Sequence, residues 1–103
     1  MSTHWACIGL VLAWVAWLHS TFPSKGIDEW TVLGAEESAE QCKLAAVTAA
    51  RNSARKLQSD KTGTVVTQDG PVVEMAFASG ERASLVYMCL PDSVDPRGPK
   101  GMK

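Results

Sequence analysis

The sequence predicts an α+β protein: an N-terminal apolar helix, then a β-α-β-β-β domain of two layers with one helix packed on an antiparallel sheet. Three observations predict it. An uninterrupted apolar run, Trp5–Leu18, opens the chain; an alanine-rich stretch without Gly or Pro runs on from Ser38; and three short strand-like runs punctuated by glycine turns fill residues 63–90. At 103 residues, 46% apolar and 20% charged, the chain suits one small globular domain. The expected organisation is a signal peptide or membrane anchor over 1–20, a linker over 21–28, the α+β domain over 29–90 and a Pro/Gly-rich tail over 91–103.

The run Trp5–Leu18 is fourteen residues long, the length of a signal-peptide core and short of a spanning helix. Extended to Phe22 it would reach roughly 27 Å as a helix, close to a hydrocarbon core, so an anchor is the competing reading. Leu18-His19-Ser20 offers acceptable residues for cleavage before Thr21, although no Lys or Arg precedes the run. A buried helix of a globular protein is a third reading, weakened because the run has no polar face.

Thr21–Asp28 contains Pro23, Ser24 and Gly26 and reads as a linker. Glu29–Leu33 reads as a short strand with Trp30 and Val32 on one face, ended by Gly34. Ser38 and Gln41 have the spacing of a capping box, so a helix should begin there and run through KLAAVTAARNSARKL. Ala39, Cys42, Ala46, Ala49, Ser53 and Leu57 fall on one stripe, widened by Val47, Ala50 and Ala54, and their small size implies close approach to a sheet. Three strands are expected at Gly63–Gln68, Val72–Ala78 and Arg82–Leu90, joined by Asp69-Gly70 and Ser79-Gly80 turns into an antiparallel meander. Val73, Met75 and Phe77 share one face, as do Ala83, Leu85, Tyr87 and Cys89, and both sets should face the helix. The tail has too many prolines and glycines for regular structure.

Cys42 and Cys89 are the two cysteines of the body. In an oxidising compartment such a pair is expected to form a disulfide, and the inward stripe of the helix and the inward face of the last strand bring them together. Their 47-position separation is unlike the CxxC of a redox pair. Both histidines, His4 and His19, lie in the N-terminal apolar segment, which leaves the body without histidine for catalysis or metal binding. No phosphate-binding glycine loop or haem motif occurs, and a net charge of -1 gives no basic excess for nucleic acid. No catalytic residue, cofactor or metal is therefore expected. The far face of the sheet, with Ala76, Val86, Met88 and Leu90, is apolar and should need cover from the tail, a second copy or another protein.

The chain resembles a group of small bacterial proteins with an N-terminal signal or membrane segment and no established activity. The resemblance rests on a strand with a Trp (Trp30), a helix opening with Ser-x-x-x-Cys (Ser38 to Cys42), and the ending CLPDSVDPRGPK (Cys89 to Lys100). It implies a bacterial origin and supports export. The reading is thus an exported or membrane-anchored, non-enzymatic interaction or structural module of the cell envelope, stapled by one disulfide and binding a protein partner or itself. If uncleaved, the N-terminal segment would also bind the membrane. A thiol-disulfide or other small envelope enzyme is the alternative.

Overall fold

The computed structural model describes residues 13–60 and 64–97. Five strands form one antiparallel sheet: β1 Trp14–Phe22, β2 Ile27–Glu36, β3 Val65–Asp69, β4 Val72–Ala76 and β5 Arg82–Pro91. A single long helix, α1 Ala39–Asp60, leads from β2 to β3. The strand order is β2-β1-β5-β4-β3, so β1 lies in the interior of the sheet while β2 and β3 form its edges.

The expected two-layer arrangement of one helix on an antiparallel sheet is present. The expected N-terminal helix is not: Trp14–Leu18, the last part of the apolar run, lies in β1 with Ala13 just ahead of it, and residues 5–12 of that run fall outside the described residues. The reason is burial on both sides. Ala16, Leu18 and Ser20 pair with Cys89, Tyr87 and Leu85 on the face toward α1, whereas Trp17 and His19 pair with Met88 and Val86 on the opposite face. Ala16 and Trp17 point to different faces, yet both are buried. A strand covered on both faces is a continuous apolar run, which periodicity cannot distinguish from a helix. Among the described residues, no helix is long and apolar enough to cross a membrane.

Of the stretch expected as a linker, Thr21 and Phe22 end β1, Ile27 and Asp28 open β2, and only residues 23–26 connect the two strands. Pro23–Lys25 form one 3-10 turn, closed by a hydrogen bond from the Gly26 amide to the Pro23 carbonyl (3.0 Å) with Gly26 at φ 69°. That left-handed conformation suits glycine. β2 then runs past Gly34 to Glu36, because Gly34 pairs with Ala16 instead of ending the strand. Between Trp17↔Val32 and Ala16↔Gly34, Leu33 is the extra residue of a bulge. Val32 and Leu33 remain 54% and 45% exposed.

Helix α1 starts as its cap predicts, with the Gln41 amide donating to Ser38 Oγ (3.1 Å) and the Cys42 amide to the Ser38 carbonyl (3.0 Å). Its stripe packs on the sheet: Ala46 and Ala50 are buried against Val73 and Tyr87, with Leu18, Leu57 and Leu85 around them, and Cys42 is buried one turn earlier. Small side chains let the helix axis sit close, and the Ser53 and Tyr87 hydroxyls hydrogen-bond between the layers. The β3–β4 turn is shifted by one residue from expectation. Asp69 pairs with Val72, leaving Gly70 (φ 59°) and Pro71 in the turn, where the missing proline N–H costs no bond between these two strands. In the β4–β5 turn the Phe77 amide donates to the Glu81 carbonyl (2.9 Å) and the Gly80 amide to the Phe77 carbonyl (2.8 Å).

Candidate functional site

Alternation along β5 separates its two faces. Ala83, Leu85, Tyr87 and Cys89 point to α1, and Cys89 is bonded to Cys42 with a Cα–Cα distance of 5.9 Å. Cys42 is fully buried. The pairing expected from sequence is therefore present, and it fastens the first turn of α1 to the end of the last strand.

Val86, Met88 and Leu90 face the other way, as expected, and are half-buried. Across from them on β1 stand His19, Trp17 and Val15. Val72, not Ala76, is the β4 partner of Val86; Ala76 shares the outer face but lies at the other end of β4, opposite Arg82. The strip is thus continuous from β4 through β5 and β1 to Trp30 and Val32 of β2, with Ala76 apart from it.

An aromatic cluster occupies the β1–β2 part of this face. His19 and Trp30 are direct cross-strand partners and their rings stack, 4.0 Å between centroids and 3° from parallel. Trp17 meets Trp30 edge-to-face at 6.2 Å. His19 Nε2 donates to Asp28 Oδ1 at 2.6 Å, which holds the imidazole against Trp30. Contrary to expectation, the folded domain does contain a histidine.

The beginning of the tail folds back over this cluster. The Val94 amide donates to the Pro91 carbonyl (2.9 Å), and Asp95 receives the Arg97 amide (2.9 Å) together with its Nε (2.8 Å) and Nη2 (2.8 Å). So held, the guanidinium lies 5.1 Å from the centre of the Trp17 ring. The Asp95 hydrogen bonds and charge raise the Arg97 pKa above its ordinary value. Asp28, Trp30, Pro96 and Arg97 border an open groove of about 400 Å³ beside the cluster. Trp17 Nε1 is buried with no hydrogen-bond partner among the described residues.

Sequence reasoning missed Trp17, His19, Asp28 and Arg97 as members of one face. The available signal was the alternation Val15, Trp17, His19, Thr21 against Ala16, Leu18, Ser20, Phe22, masked by hydrophobicity on both sides. Among the described residues, no three His, Cys, Asp or Glu side chains gather as a metal site. No protein-family model matches the chain, and neither a curated protein nor a solved structure matches it.

Proposed function

We propose that this chain is a non-enzymatic interaction module of the bacterial cell envelope, with the outer sheet face as its binding surface. One observation carries the reading: the half-buried Val86, Met88 and Leu90 join Trp30 and the 54%-exposed Val32 in one apolar strip around the buried Trp17, which the tail covers only in part. Aromatic side chains give large contact area at low entropic cost, and such strips are used for association. The occupant is another protein or a second copy of the chain. The alternative role in thiol-disulfide exchange is disfavoured by the 47-position separation of the pair, unlike a CxxC, and by the burial of Cys42.

Export is supported by the disulfide, which persists in oxidising compartments, and by the apolar run. The start of β1 at Trp14 moves the expected processing point. A cut before Thr21 would remove most of an interior strand, whereas Val11-Leu12-Ala13 supplies aliphatic and small residues just ahead of β1. We therefore propose processing upstream of Trp14.

The test is a pair of outward substitutions, Val32→Lys and Val86→Asp, in protein recovered from the envelope by crosslinking. Retained Cys42–Cys89 linkage with loss of the crosslinked species supports the binding surface. Unchanged crosslinking in a folded double variant overturns it.

A further inference from the structure

A second surface lies on the other side of β5. In an antiparallel strand, alternate residues direct their N–H and C=O groups to alternate neighbours. The Asp92 amide bonds the Ala13 carbonyl beyond the start of β1 (3.0 Å), and the Tyr87 amide bonds the Pro71 carbonyl beside β4 (2.9 Å). Even-numbered residues of β5 therefore face β1 and odd-numbered ones face β4. The β4–β5 ladder stops at Val72↔Val86, while β5 runs on to Pro91. Pro71 accepts from Tyr87 but has no N–H to return to the Tyr87 carbonyl. Among the described residues, the N–H and C=O of Cys89 and the carbonyl of Tyr87 consequently face an interval with no strand in it, while the Pro91 carbonyl is taken by the Val94 amide.

That interval is the floor of an apolar groove of about 320 Å³, walled by Lys43, Ala46 and Val47 of α1 and by Pro71, Tyr87, Met88 and Cys89 of the sheet. The size matches a site for a few side chains. Lys43 is exposed at the rim and has no ion-pair partner among the described residues.

We infer that this groove takes an extended segment of a partner protein, which adds a short strand along Tyr87–Pro91, places alternate apolar side chains against Ala46 and Val47, and sets a carboxylate on Lys43. The unused ladder groups recognise peptide backbone, the groove recognises apolar side chains, and the lysine supplies the charge preference. A second copy joined by the same edge is disfavoured, because Pro71 stands where the copy's chain would continue and Pro91 has no N–H to give. The groove meets the outer face at Met88, but the Cys89 backbone and Lys43 lie outside the outer strip, so either reading can fail without the other.

The experiment follows the Cys89 amide by nitrogen-15 NMR in protein with its native N-terminus. The probe is a set of acetylated hexapeptides alternating valine and threonine, with one aspartate moved through the positions. Saturable displacement of the Cys89 resonance, strongest for one aspartate position and weakened at least about tenfold by Lys43→Glu, supports the inference; a tenfold change is about 1.4 kcal/mol. A Lys43→Ala variant that keeps the valine-threonine response but loses the aspartate preference also supports it. No displacement by any peptide overturns it. So does slow hydrogen exchange at Cys89 before peptide is added, since the edge would then already be covered.

Discussion

The guanidinium of Arg97 lies 5.1 Å from the ring centre of Trp17, so a residue of the irregular tail closes over an interior strand. Removing it should uncover the indole. Arg97→Ala is expected to raise acrylamide quenching of tryptophan emission and shift that emission to the red, with Cys42–Cys89 still formed. Unchanged quenching would mean that the tail does not cover Trp17 in solution.

The place of β1 makes the N-terminal boundary testable. A chain beginning at Trp14 is expected to fold cooperatively, whereas one beginning at Thr21 lacks most of the strand between β2 and β5. The shorter chain should show no dispersed amide spectrum. If it folds as well as the longer one, β1 is not part of the core.

Cys42–Cys89 closes a loop of about 48 residues, which in the chain-entropy model stabilises the fold by about 4 kcal/mol. Cys42→Ser or Cys89→Ser should lower the melting temperature by roughly 15–30 °C in a domain of this size, read by circular dichroism. The effect should match that of reduction in the parent protein, which separates loss of the crosslink from a packing defect.

Glu81 joins the β4–β5 turn to the turn between β1 and β2. Its carboxylate accepts from Ser24 Oγ (2.9 Å) and Ser79 Oγ (3.1 Å), and these bonds hold its pKa below the ordinary glutamate value. A depressed folded-state pKa stabilises at pH above the unfolded value, and that contribution is lost as pH falls through the folded value. Glu81→Gln should therefore lower stability slightly near neutrality and leave a flatter acid limb in melting temperature against pH. An acid limb of unchanged slope would show that the two hydroxyls do not act on this carboxylate.

Local chemistry determined much of this protein. The Ser38 cap, the small-residue stripe of α1, the alternation of β5 and the Cys42–Cys89 pairing were all legible, because each depends on spacing within one element or on matched inward faces. The strand Trp14–Phe22 was not. Whether an apolar run becomes a helix or a strand depends on what covers its second face, and here that cover is Trp30 from the neighbouring strand and Arg97 from the far end of the chain. The same dependence concealed the His19–Asp28 pair and the unpaired stretch of β5, since cross-strand register and the place where a neighbouring strand stops are properties of the assembled sheet alone.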